Sequence, residues 1–217
     1  MKTDSTETRN PGQKRLLAID GGGLRGIIAL EILARIEDTL RQEAGGDPAF
    51  VLADYFDYIG GTSTGAIIAA HLALGMKVAD IREGYLKYGR LLFTPAPLFQ
   101  RHRHKYLAEA ITNELQEVFG RDTQLGSEKL RTLLLIIVRN ATTNSPWPLS
   151  NNPLATYNDT ALPDCNLQIP LWKLVRASAA APTYFPPEEV RLGESEFLFI
   201  DGGITPLNNP AWQLLLM

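Results

Sequence analysis

One cysteine, three histidines and no long apolar run set the first limits on this chain of 217 residues. A lone thiol, Cys165, cannot close an internal disulfide, and the chain suits a reducing compartment. The plain reading of that thiol is a small, partly buried side chain. No stretch approaches the ~18 apolar residues that a membrane span needs. Residues 1–12 are polar and lack the apolar core of a secretory signal, so they read as a disordered tail. Neither charge sign dominates: 21 Lys and Arg face 24 Asp and Glu, for a net charge of −3. That balance leaves no basic footprint for nucleic acid. The expected setting is cytoplasmic, peripheral at membranes at most. Internal repeats and low-complexity segments are missing as well.

What is present is an ordinary globular composition, 45% hydrophobic and 21% charged, enough for a single domain over residues 13–217. Short apolar runs at residues 15–20, 56–60, 133–138 and 197–200 have the pattern of strands buried on both faces, as in a parallel sheet. Helical patterns lie between them. Leu24, Ile28, Ile32, Ile36 and Leu40 recur every four residues and predict the apolar face of a helix. Glu37 and Arg41 are spaced to pair across a turn, and Gly45-Gly46 is a natural stop. Residues 64–74 predict a buried helix ended by Gly75, and residues 78–92 and 104–119 predict two amphipathic ones. Such alternation argues for an α/β layer sandwich. Residues 144–170, rich in Asn, Pro and Ser, predict a long excursion of loops. The chain stops a few residues into a helix beginning near Asn209-Pro210, an abrupt ending that fits a truncated chain.

Ser63 stands in Gly61-Thr62-Ser63-Thr64-Gly65, directly after an apolar run and before a helical one. A serine between two glycines at a strand-to-helix turn is held in a strained conformation that exposes its hydroxyl as a nucleophile. Acyl transfer also needs a base and donors for the oxyanion. Three glycines, Gly21, Gly22 and Gly23, follow the first strand and open the first long helix, so bare N–H groups gather at a helix start. The same residues satisfy the dinucleotide spacing Gly21-x-Gly23-x-x-Gly26. That fingerprint expects an acidic residue after a second strand about twenty residues on, where this chain continues its helical pattern through Arg41. No Gly-Lys-Ser/Thr follows for a phosphate-binding loop.

Histidine is poorly placed to be the base. His71 lies about 12 Å along the helix from Ser63. His102 and His104 sit in the basic knot of residues 101–105, and as a metal pair they lack a nearby carboxylate partner. That leaves Asp201, at the end of the strand pattern 197–200 and before Gly202-Gly203. Open α/β sheets place functional groups at the carboxyl ends of their strands. Partial burial in a cleft would push the pKa of such a carboxylate upward and make it a better proton acceptor.

Asp20-Gly-Gly-Gly-Leu-Arg-Gly26, Gly61-Thr-Ser-Thr-Gly65 and Asp201-Gly-Gly203, in this order, resemble the patatin-like phospholipase family. Arg176-Ala-Ser-Ala-Ala-Ala-Pro182, Phe185-Pro186-Pro187 and Asn208-Asn209-Pro210 add to the likeness. The resemblance implies a three-layer α/β/α sandwich, a modified α/β-hydrolase-like fold with a mostly parallel central sheet. It implies a Ser63–Asp201 dyad without histidine and an oxyanion hole from Gly21, Gly22 and Gly23, shaped or charged by Arg25. Gly61, Gly65 and Gly202 are then motif glycines. The expected substrate is a phospholipid or acylglycerol ester, met at a membrane or micelle surface, with no metal and no organic cofactor. Members often continue well past residue 217. Residues 91–99 could form a lid or interface-seeking surface, and the knot at 101–105 could attract anionic headgroups. A catalytically idle storage or scaffold protein of the same fold, and a nucleotide binder using Gly21–Gly26, are the alternatives.

Overall fold

A run of five consecutive fully buried residues, Leu134, Leu135, Ile136, Ile137 and Val138, forms the spine of the structure. In this computed structural model residues 12–93 and 101–217 are described. Residues 1–11 of the expected tail and residues 94–99 of the expected lid lie outside the described residues. So do the side chains of residues 88–93, 101–108 and 110, which include the basic knot, His102 and His104.

The spine belongs to β3 (Leu133–Asn140), and the sheet is built around it. β1 (Leu16–Ile19) runs parallel to β2 (Tyr58–Thr62), and β2 runs parallel to β3. β4 (Ser145–Ser150) pairs antiparallel with β3 from Leu135 to Asn140. β6 (Ser195–Asp201) pairs antiparallel with β3 at Val138 to Asn140, and β5 (Glu188–Leu192) lies beyond it. A strand has only two edges. Since β4 fills one of them, β2 and β6 must share the other, end to end. Thr62 therefore faces Ile137 while Asp201 faces Val138, the next residue along.

Alternation along β3 sorts the two layers. Leu134, Ile136 and Val138 join the larger core with Ile59, Ile68, Leu174 and Phe199, whereas Leu135 and Ile137 join Tyr58 and Leu214 on the other face. α2 (Thr64–Ala73) is apolar on every side and is buried accordingly. It packs with α1 (Gly26–Glu43) and α5 (Leu171–Ser178) over the first face. α3 (Val78–Phe93) lies against α1, and α4 (Arg101–Phe119) against α5. The short α6 (Ala211–Leu216) covers β1 and β2 from the opposite side. The result is the three-layer α/β/α sandwich, with a mixed sheet whose parallel heart is β1–β2–β3.

Three expectations are corrected. The loop excursion at 144–170 contains β4, whose Pro146 and Pro148 fit an edge strand because they have no N–H to give the ladder. Of the expected stripe, Ile36 and Leu40 pack partly buried against the core, but Leu24, Ile28 and Ile32 face outward, 50%, 59% and 57% exposed, and α1 buries Gly26, Leu30, Leu33 and Glu37. Close approach of α3 sets that rotation: a Cβ on Gly26 would lie 2.6 Å from the Tyr85 hydroxyl oxygen, so this glycine must face α3. Finally, Arg41 pairs with Asp38 at 2.6 Å, and buried Glu37 accepts the Val78 N–H at the start of α3. Burial raises the Glu37 pKa.

Phe199 is fully buried, 5.4 Å from the Trp147 ring, in the strand that ends at Asp201. Phe199→Ala is expected to cost about 3–5 kcal/mol and to lower the unfolding midpoint by roughly 10 °C in thermal denaturation.

Candidate active site

The turn from β2 into α2 passes through Ser63 with φ 55° and ψ −124°, a conformation that costs a side-chain-bearing residue about 1–3 kcal/mol. The backbone around it is too tight for side chains. A Cβ on Gly61 would lie 2.1 Å from the Gly65 carbonyl oxygen, and one on Gly65 would lie 2.2 Å from that of Ile19. Gly202 sits equally close to the Ile137 carbonyl oxygen, at 2.3 Å, which lets β6 end against β3.

This geometry brings Ser63 and Asp201 together across 138 positions of sequence. The Ser63 hydroxyl donates to Asp201 Oδ2 at 2.7 Å, and both side chains are buried. Asp201 Oδ1 accepts the Gly203 N–H at 2.6 Å, which fixes the plane of the carboxylate. Burial raises the Asp201 pKa, and the hydrogen bonds from Ser63 and Gly203 oppose that rise.

The glycine loop lies over the serine, with a Cβ on Gly21 only 3.1 Å from Ser63 Cβ. Two of its three amides are already engaged. Gly21 N–H donates to the Asn208 carbonyl at 3.3 Å and Gly22 N–H to Thr64 Oγ1 at 3.2 Å. Among the described residues the Gly23 N–H has no protein acceptor, and Gly23 lines the cavity that holds Ser63 and Asp201. Arg25 points away: its Nε donates to the Gly22 carbonyl at 3.3 Å from an exposed position, bracing the loop from outside.

Several supporting residues carried no role in the sequence reading. Ser178 is fully buried and donates to the Ile137 carbonyl at 2.6 Å, so its lone pair accepts the Ser63 N–H at 2.9 Å. That bond pins the strained backbone of Ser63 to β3. Tyr85 donates to the Gly23 carbonyl, and Asn208 Nδ2 donates to the Gly21 carbonyl at 3.3 Å. Ser178 and Asn208 stood inside motifs noted for family likeness alone. Nothing in the spacing announced Tyr85.

The cavity over the pair has a volume of about 270 Å³, with walls from Ile67, Ile111, Leu115 and Phe185. A larger one, about 590 Å³ beside Trp147 and Tyr157, contains neither Ser63 nor Asp201. His71 contacts the Ile67 carbonyl through Nδ1 and packs on Phe119, and burial lowers its pKa. It is a core histidine. Cys165 is buried too. Among the described residues no cluster of His, Cys, Asp and Glu could hold a metal ion. α1 runs unbroken to Glu43, where a dinucleotide fold would need its second strand.

The layers and the strand–serine–helix turn define the class: an α/β protein with a strained serine at the carboxyl end of a central strand. The family model described as patatin-like phospholipase matches residues 17–215, and the chain belongs to that family. Patatin-17 of Solanum cardiophyllum is 32% identical over 96% of this chain and 54% of its own length. Intracellular phospholipase A2 of Caenorhabditis elegans is 29% identical over 98% of this chain and 18% of its own. This chain thus spans about half, or less, of these relatives. The crystal structure of VipD from Legionella pneumophila superposes with a TM-score of 0.50 at 16% identity, covering 88% of this chain and 46% of that one, which speaks for the fold.

Because burial raises the Asp201 pKa, ionising this carboxyl works against folding. Its protonated form contributes stability below the unfolded value near 3.9, and that contribution is lost as pH rises through the elevated folded value. The unfolding midpoint of Asp201→Asn, which cannot ionise, is expected to gain on the wild type between pH 4 and pH 7 in paired melts. A gap that does not change with pH would contradict the shift.

Proposed function

We propose that this chain is a serine hydrolase of lipid acyl esters, with Ser63 as nucleophile and Asp201 as its general base. The 2.7 Å hydrogen bond between them, at the base of a largely apolar cavity, is the observation that carries the reading. Asp201 Oδ2 takes the hydroxyl proton as Ser63 Oγ attacks the ester carbonyl. The raised pKa of this carboxyl makes it a more willing acceptor than a solvated one. The tetrahedral oxyanion is held by the Gly23 N–H at the cavity wall. The Thr64 N–H, at the first turn of α2, serves as a second donor, since Thr64 lines the same cavity.

Collapse of that intermediate expels the alcohol, which leaves with the proton from Asp201. Water, deprotonated by the same carboxylate, then releases the fatty acid and restores the serine. No metal or organic cofactor enters the scheme. Arg25, Asn208 and Tyr85 hold the Gly21–Gly23 loop in shape. Apolar walls suit a fatty chain, so a phospholipid or acylglycerol in a membrane or micelle is the expected substrate, met in the cytoplasm. Among the described residues no helix is long and apolar enough to cross a membrane. Ser63, Asp201 and the Gly21–Gly23 loop all lie within the single domain expected over residues 13–217.

Asp201→Ala is expected to lower kcat by roughly a hundred- to ten-thousandfold on a fatty-acyl ester, and Ser63→Ala to abolish labelling by a fluorophosphonate. Full turnover by either variant would end the assignment. Ser178→Ala frees the Ser63 backbone and is expected to reduce kcat by up to about a hundredfold with KM unchanged, as steady-state kinetics would report.

A further inference from the structure

We propose that Leu24, Ile28 and Ile32 along the start of α1, with Leu86 of α3, form the surface that seats this protein on a lipid–water boundary. The proposal rests on the lipid-ester reading above and adds to it where the enzyme meets its substrate. All four side chains are at least half exposed, at 50%, 59%, 57% and 53%. α3 runs antiparallel to α1, since Val78 meets Glu37, Arg82 meets Glu31 and Tyr85 meets Gly23. Because Arg82 meets Glu31, Leu86 one turn further along α3 comes level with the turn of α1 that holds Ile28. The four therefore form one patch rather than scattered residues, and such patches on a soluble surface mark binding.

Position ties the patch to the site. Leu24 directly follows Gly23, a wall residue of the catalytic cavity, and helical side chains lean toward the helix N-terminus, so Ile28 tilts toward that cavity. The same solvent face changes character away from the site, continuing as the exposed Arg35, Thr39 and Gln42. Apolar residues occupy only the end nearest the serine. A helix face that is apolar at one end and polar at the other is matched to partial immersion.

Cavity size supplies the occupant. About 270 Å³ falls below the ~300–1,000 Å³ that encloses even a drug-sized ligand. A two-chain lipid cannot enter whole. Only the reacting ester and part of one chain fit, and the remainder stays in its own layer, which must then lie against the rim. Arg25 and Arg35 flank the α1 part of the patch and Glu31 is held by Arg82, while exposed Glu83, one turn before Leu86, is an acidic neighbour.

The test uses the full chain carrying Ile28→Asn, Ile32→Asn and Leu86→Asn, with vesicles of equal parts phosphatidylcholine and phosphatidylglycerol. All three positions are on the surface, and circular dichroism with a thermal melt checks the fold. Should the triple variant unfold, Ile28→Asn alone serves in its place. Vesicle affinity by co-sedimentation is expected to fall roughly a hundredfold for the triple variant and about tenfold or less for the single one. Hydrolysis of vesicle lipid falls with it, while cleavage of nitrophenyl butyrate, a water-soluble ester, stays unchanged. Wild-type vesicle binding by the variant overturns the proposal. So does a variant that binds vesicles normally but has lost a dimer seen for the wild type by ultracentrifugation, because the patch then serves a second copy. Ser63→Ala separates the two readings: it is expected to bind vesicles as the wild type does while cleaving nothing. A wild type that binds through the patch yet cleaves neither ester would sink the hydrolase reading alone.

Discussion

One edge of one strand shared by two others is the constraint on which the site depends. β4 fills one side of β3, so β2 and β6 must meet nose to nose on the other, at Ile137 and Val138. Each ends where the other ends. The residue just past β2 is Ser63 and the last of β6 is Asp201, and neither needs a long or flexible side chain to reach its partner. An alcohol and a carboxyl group 138 positions apart are held at 2.7 Å by strand register alone. The antiparallel entry of β6 is what turns its carboxyl end toward that of β2.

Holding Ser63 in a costly backbone conformation requires compensation from its surroundings. The compensation is local and polar. Ser178 ties its amide to β3, Gly61 and Gly65 remove the atoms that would collide, and the first turn of α2 takes its carbonyl through Ala66 and Ile67. Asp201 shares this economy: one oxygen faces the serine and the other is locked by Gly203, so a buried carboxyl group has a partner at each oxygen. Glycine loop, elbow and carboxylate are packed so closely that each fills the space the next one leaves.

Much of this was legible in the residues. The apolar runs marked four of the strands, but only β2 and β3 are buried on both faces as expected, since β1 and β6 leave Leu16 and Leu198 exposed. Gly-x-Ser-x-Gly marked the elbow, and the poor placement of histidine directed attention to Asp201. Other features depend on distance in space and left no local trace. β5 alternates buried and exposed residues in a five-residue stretch that includes Glu188 and Arg191, too short and too charged to stand out. β4 was hidden by its prolines. The four-residue apolar repeat of α1 found a helix and, in Ile36 and Leu40, part of its packed face, but it named the wrong face at the start of the helix, where the contact between Gly26 and Tyr85 of another helix dictates the rotation. Ser178 and Tyr85 act through backbone groups far away in sequence, and no spacing rule reaches that far.

The prolines of β4 have an effect beyond their own strand. Pro146 and Pro148 alternate along the outer margin of the sheet, where a bare row of amides would otherwise invite a neighbouring molecule to zip on. Two missing hydrogens make that flank a dead end for polymer growth. A cell could therefore accumulate this chain to high concentration with one route to fibrous assembly already shut.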